Sequence, residues 1–218
     1  MAVNKFHELN MPISDEVRKA KKTVLDTIDI DRYFDEMELT ESQKDLRKKT
    51  AKRLEEKLIT VFALVEVMVK QNTPPDAIFL CTQIQNAFSE VFADNVTLTE
   101  NLNNYLLIKS WELAERTVRH IDDEFYTSID RATLIAENET SSVYNYSDYE
   151  EAKSAGLKKK TWRAIRDRKT RDWHREVDGL TIPIDEQFLV NGEFMDYPHD
   201  LNASEGNIAN CRCSIEYS

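Results

Sequence analysis

The chain has 218 residues, 41% of them apolar, with four glycines, five prolines, three cysteines and a formal net charge of -11 at pH 7. That length fits one large domain or two small ones, and scarce Gly and Pro beside abundant Glu, Lys and Leu point to a mainly helical protein. The acidity argues against wholesale nucleic-acid binding, and no run approaches the roughly 18 uninterrupted apolar residues that cross a bilayer.

The opening MAVNKFHELN lacks the apolar core of a secretion signal, so the expected compartment is the cytoplasm. Cysteines stay reduced there, and an odd number suits a disulfide framework poorly. Ser14, Asp15 and Glu16 predict a helix start, with a weakly amphipathic helix running on to Ile28. Thr40 with Gln43 three residues later has the form of a capping box, and Leu54, Leu58, Val61, Val65 and Met68 then recur on one helical face.

NTPPD at residues 72–76 must interrupt that helix, because proline lacks the amide proton and disfavours helical geometry in the residue before it. Leu80, Ile84, Phe88 and Val91 mark the next apolar face. Leu107, Trp111, Ala114, Val118, Ile121 and Phe125 predict a third, suited to packing inside a helix bundle or, alternatively, to a partner's groove. Residues 131–156 continue helical and stop at Gly156.

Beyond Gly156 the pattern changes. KTWRAIRD reads as a strand, Asp167 or Thr170 is placed to cap a short helix through Val177, and Gly179 ends it. TIPI is extended, and FLVNGEFM sets Asn191-Gly192 between apolar pairs, a signal for a tight type I′ hairpin. In the closing segment Ala209, Cys211, Cys213, Ile215 and Tyr217 alternate with Asn210, Arg212, Ser214 and Glu216, as in a strand. The expected fold is therefore mainly α, a helical region over 1–130 followed by a small α+β module over 131–218.

Three groups of residues carry possible chemistry. His174, Cys211 and Cys213 offer the imidazole and thiolate donors that zinc selects, with Asp167, Asp178 or His199 as a fourth ligand. The alternative, favoured by the period-two pattern, is that both cysteines are small buried hydrophobes with no cofactor at all. A disulfide across i, i+2 would be strained.

Lys158, Lys159, Lys160, Arg163, Arg166, Arg168, Lys169 and Arg171 form a basic stretch around Trp162 and Trp173. It suits weak, salt-sensitive, sequence-independent DNA contact, or else simply solvates a strand and short helix. Glu139, Asp167, Arg171 and His174 could act as a general acid–base group. No glycine-rich phosphate loop, nucleophile elbow or HExxH accompanies them, however, and Asp167 could instead pair with Arg171 or cap the backbone, so no enzyme activity is expected.

Taken in order, Glu139, Trp162, Asp167 with Lys169-Thr170-Arg171, His174, Asp178-Gly179, Phe188, Pro198 with Asp200, and Asn210-Cys211-Arg212-Cys213 resemble the phage Mu F-like head morphogenesis family, also called minor capsid or minor head proteins. The resemblance covers roughly Arg131 to Tyr217. His199 departs from it, standing where these proteins usually have glycine. The resemblance implies a low-copy internal virion protein associated with the portal vertex, acting in procapsid assembly and, in some phages, in DNA packaging or ejection. Portal protein, capsid or scaffold proteins and packaged DNA are the implied partners, and no membrane is. Localisation would be the virion interior, with host cytoplasm during assembly. The rival expectation is an enzyme or toxin-like effector delivered with the genome and using His174.

Overall fold

The computed structural model describes residues 29–218; the helix expected from Asp15 to Ile28 lies outside them. Helix α1 (Ile30–Asp35) starts at Asp29, whose carboxylate accepts the amides of Asp31 and Arg32. Helix α2 (Glu41–Lys70) carries the expected capping box at Thr40 and Gln43. It stops ahead of Pro74 and Pro75, with Asn72 in the left-handed region at φ 57°. Asp76 accepts the Phe79 amide at 2.7 Å to open α3 (Ala77–Phe92), and Thr99 caps α4 (Glu100–Arg119). A 3-10 turn (Glu124–Thr127) leads into α5 (Ile129–Ser154), which ends before Gly156 at φ 77°.

Leu54, Leu58, Phe62 and Val65 of α2 form one core with Leu80, Ile84 and Phe88 of α3 and with Ala132, Ala136 and Val143 of α5. Helix α5 is buried on nearly every side, taking Glu137, Glu139, Thr140, Ser141, Ser142 and Asn145 out of solvent with its apolar residues. An all-round buried helix has no polar stripe, and its sequence shows correspondingly little amphipathic pattern.

The stripe predicted from Leu107 to Phe125 is corrected in part: Ala114 is buried and Val118 and Ile121 pack against the core, but Leu107, Trp111 and Phe125 are exposed. The buried face of α4 is Leu102, Tyr105, Leu106, Ser110, Ala114 and Thr117, while Leu107 and Trp111 stay 44% and 40% exposed. Ser110 and Thr117 donate their hydroxyls to the Leu106 and Leu113 carbonyls, each at 2.7 Å, so polar residues enter the core without losing a hydrogen bond. The helix ends at Arg119, so Ile121 and Phe125 lie beyond it.

The C-terminal part contains β1 (Lys159–Arg163), α6 (Asp172–Glu176), β2 (Thr181–Pro183), β3 (Phe188–Val190), β4 (Glu193–Met195), α7 (Glu205–Ile208) and β5 (Ser214–Tyr217). An antiparallel sheet of order β2-β1-β5 pairs Lys160 with Ile182 and Trp162 with Ile215. Strands β3 and β4 form the expected hairpin, with Asn191 at φ 50° and Gly192 at φ 80°, the two positive values a type I′ turn requires.

Three local expectations differ. Strand β1 ends at Arg163, so only the first part of KTWRAIRD is extended. Neither Asp167 nor Thr170 caps α6: Arg171 holds that position without a side-chain cap, and Asp167 instead accepts the Lys169 and Thr170 amides in a turn one step earlier. Cys211 and Cys213 precede β5, and residues 211–214 are all buried, so the two-faced alternation fails there.

Trp162, Val177, Phe188, Val190, Met195 and Ile208 make a second core that also takes up both cysteines. Ile184 and Tyr197 pack instead in the helical core, and Asn145 of α5 donates to the Pro198 carbonyl at 2.7 Å. Helix α5 is therefore the surface on which the C-terminal strands are seated. The overall result is a mainly helical chain ending in a small module of short antiparallel strands.

Candidate metal centre and the residues around it

Two distant segments converge in the second core. Helix α6 supplies His174, and the stretch ahead of β5 supplies Cys211 and Cys213; all three are at least 98% buried. His174 Nδ1 lies 3.5 Å from each sulfur, and the Cys213 amide donates to Cys211 Sγ at 3.4 Å. The imidazole is set by Trp162, whose ring meets it edge to face at 5.7 Å, and by Trp173 at 6.5 Å. Its Nε2 has no hydrogen-bond partner among the described residues.

Burial alone would push the Cys211 thiol up. Hydrogen bonds from Cys213 and His174, with His199 nearby, instead bring it well below the usual thiol value. Cys213 moves the opposite way, raised by its hydrogen bond to Cys211 and by burial. All three cysteines of the chain are free thiols.

The proposed fourth ligands are engaged elsewhere. Asp167 receives Arg212 Nη2 at 2.8 Å, so its partner is Arg212 and not the expected Arg171. Asp178 accepts the Ala164 amide at 2.9 Å and Arg166 Nε at 2.7 Å. Burial would raise both carboxyls, but these hydrogen bonds and guanidinium charges leave them below their ordinary values. His199 points at the backbone: its Nε2–H donates to the Cys211 carbonyl at 2.7 Å.

The remaining motif residues tie the same two segments down. Arg171 Nη2 donates to the Ala209 carbonyl at 2.6 Å, and the Asn210 amide to Asn138 Oδ1 at 2.8 Å. Gly179, at φ 79°, donates its amide to the Trp162 carbonyl at 2.8 Å, a turn that a side chain would strain. Arg212, 8% exposed, bridges Asp167 to Glu36 of the first helical turns. Glu139 is buried away from the sulfurs, accepting Tyr105 Oη at 2.6 Å; burial raises its carboxyl despite Lys109 and Tyr105. Arg171, Arg212, Lys169, Asn210 and the buried Glu137 line a neighbouring cleft of about 570 Å³.

The basic stretch is divided by the fold. Lys160 is fully buried with Nζ 3.2 Å from Asp196, and Trp162 is fully buried, so neither reaches solvent. Arg163 pairs with Glu216 and Arg166 with Asp178. Lys158, Lys159, Arg168 and Lys169 are exposed and carry no ion pair among the described residues.

No motif or periodicity pointed to Tyr33, whose hydroxyl joins Ser141, His199 and the Cys211 carbonyl. It sits in a six-residue helix carrying no motif, more than a hundred residues from its partners.

Comparison with known proteins adds an independent line. The pattern described as Phage Mu protein F like protein matches residues 108–216, half of the chain, beginning inside α4 and ahead of the expected Arg131. An NAD(+)–arginine ADP-ribosyltransferase, EFV, of Enterococcus faecalis is 35% identical over 124 residues, covering 54% of this chain and 25% of that protein. The uncharacterized protein YqbB of Bacillus subtilis is 31% identical over 123 residues, covering 54% of this chain and 38% of that protein. The chain thus spans well under half the length of these curated relatives, and no solved structure matches it. With His174, Cys211 and Cys213 brought to one buried centre and the family pattern running through half of the chain, the chain belongs to the phage Mu protein F like family.

Proposed function

We propose that the chain is a minor head protein that acts in procapsid assembly at the portal vertex, as a structural component and not as an enzyme. The family match over residues 108–216 carries this reading, since the family supports a role in phage head morphogenesis. Portal protein and capsid or scaffold proteins are the partners, the virion interior is the destination, and the host cytoplasm is the site of assembly. Among the described residues no helix is long and apolar enough to cross a membrane.

The exposed face of α4, where Leu107, Ile108 and Trp111 sit three and four residues apart, offers a docking surface for such a partner. Co-purification with portal protein and with procapsids tests the reading. The wild-type chain is retained, and Trp111→Glu loses retention while keeping its helical circular dichroism. Absence of the wild-type chain from both complexes overturns it.

DNA contact is a second role, favoured by the exposed Lys158, Lys159, Arg168 and Lys169. Neutralising these four abolishes low-salt gel retention if they touch phosphate, and equal retention assigns them to solvation. The effector reading draws on the name of the enterococcal relative, of which the shared stretch covers a quarter. Infectious particles carrying His174→Ala would remove it.

A further inference from the structure

We infer that His174 Nδ1, Cys211 Sγ and Cys213 Sγ bind one zinc ion that fastens α6 to the segment leading into β5. The three donor atoms all lie within 4.8 Å of one another, and His174 Nδ1 stands 3.5 Å from each sulfur. Zinc–sulfur bonds of about 2.3 Å and a zinc–nitrogen bond of about 2.0–2.1 Å, at a tetrahedral angle, set the sulfur–nitrogen edge at about 3.5 Å. Both observed edges have that length. One tetrahedral centre satisfies both, whereas a single imidazole proton cannot serve two sulfurs equally well.

Charge balance agrees. Two thiolates and a neutral imidazole around a divalent ion leave no net charge in a core walled by Trp162, Val177 and Phe188. The guanidinium of the intervening Arg212 is already held by Glu36 and Asp167. The Cys213 amide on Cys211 Sγ supplies a hydrogen bond suited to a metal-bound thiolate.

Among the described residues His174, Cys211 and Cys213 supply three of the four tetrahedral positions. The site's work is mechanical. It joins residues nearly forty positions apart, in segments also tied by the Arg171 bond to the Ala209 carbonyl and the Arg212 bond to Asp167.

Full-length protein purified without chelator or affinity nickel, then analysed for metal, contains close to one zinc per chain. Cobalt(II) added to the stripped protein gives a sulfur-to-metal charge-transfer band. Cys213→Ser and His174→Phe weaken zinc binding by more than the roughly 10- to 100-fold that loss of a ligand-supporting residue costs. Cys81→Ser, which alters a buried cysteine of the helical core, leaves the stoichiometry unchanged. Folded wild-type protein that holds no zinc after zinc-supplemented growth, and shows no charge-transfer band with cobalt, overturns the inference. So does a stoichiometry that survives Cys213→Ser.

Discussion

His199 Nε2 lies 2.7 Å from the carbonyl oxygen of Cys211, and the same carbonyl accepts the Tyr33 hydroxyl. A carbonyl only accepts, so the proton of this imidazole is on Nε2, and its Nδ1 is left without a partner among the described residues. His199 achieves the contact at φ 60°, in the left-handed region that glycine enters without cost. The family's usual glycine at this position therefore has a backbone reason, and the histidine trades that ease for a hydrogen bond to the segment carrying both cysteines.

The trade is measurable. His199→Ala keeps the left-handed residue and loses the bond, while His199→Gly loses the bond but relieves about 1–2 kcal/mol of backbone strain. Glycine's greater freedom in the unfolded chain offsets part of this. Urea denaturation is expected to show both variants destabilised, with glycine the milder by about 1 kcal/mol. A glycine variant no more stable than the alanine variant would show that the loop tolerates φ 60° at little cost.

The pairing of Lys160 with Asp196 yields a second expectation. Burial lowers the ammonium pKa, and the neighbouring Asp196 carboxylate only partly restores it. Asp196→Asn leaves a buried cation without its counter-charge and should cost about 3 kcal/mol, whereas Lys160→Met removes the charge and keeps the volume, costing about 1 kcal/mol or less. Lys160→Met should also leave DNA retention at the wild-type level, because the side chain does not reach solvent.

Lys160 shows where sequence legibility ends. The basic run was visible, but which members of it face inward depends on a sheet register that pairs Lys160 with Ile182 and on an aspartate 36 residues away. Elements fixed by local chemistry were readable from sequence: the Thr40 capping box, the break at Pro74 and Pro75, and the Asn191-Gly192 turn. Residue type alone raised a shared site for His174 and the cysteines, beside the favoured reading of the cysteines as small buried hydrophobes. The burial of polar α4 and α5 faces could not be read from sequence, because Ser110, Thr117 and Glu139 enter the core through partners that no periodicity reveals.

Arg212 ties α1 to the C-terminal module through Glu36 and Asp167. Burial would raise both carboxyls, but hydrogen bonds from Arg32 and Arg212 to Glu36, and from Arg212 to Asp167, leave each below its ordinary value. Carboxyls lowered in the folded state contribute stability above their unfolded values, and lose it as pH falls through the folded ones. Arg212→Ala should cost about 1.5–3 kcal/mol near neutral pH. The gap from wild type should narrow as pH falls below the ordinary carboxyl values of 4.5 and 3.8, and should close only once the lowered folded-state values are passed. Chemical denaturation at pH 7 and pH 3.5 measures both; a gap independent of pH would assign the loss to packing of the arginine stem.

Glu137 predicts the opposite pH dependence. Its carboxyl is buried in α5 beside the cleft, with Oε1 unpartnered among the described residues, and burial, followed by repulsion from Glu55 and Asp29, raises its pKa to about 8. Below its ordinary value of 4.5 the group is neutral in both folded and unfolded chains, and folding loses nothing. Between there and about pH 8 the unfolded chain gives up the proton while the folded chain keeps it, so stability falls by up to about 1.4 kcal/mol per pH unit. Above that range both states are ionised and the dependence levels off. Glu137→Gln removes this contribution, so the variant should match wild type near pH 4.5 and exceed it at pH 8. Glu139 and Asp200, also raised by burial, preserve a shallower slope of the same sign in the variant. Urea midpoints across pH 4.5–8 decide the matter: parallel curves for wild type and variant would show that water or a bound cation already satisfies the carboxylate.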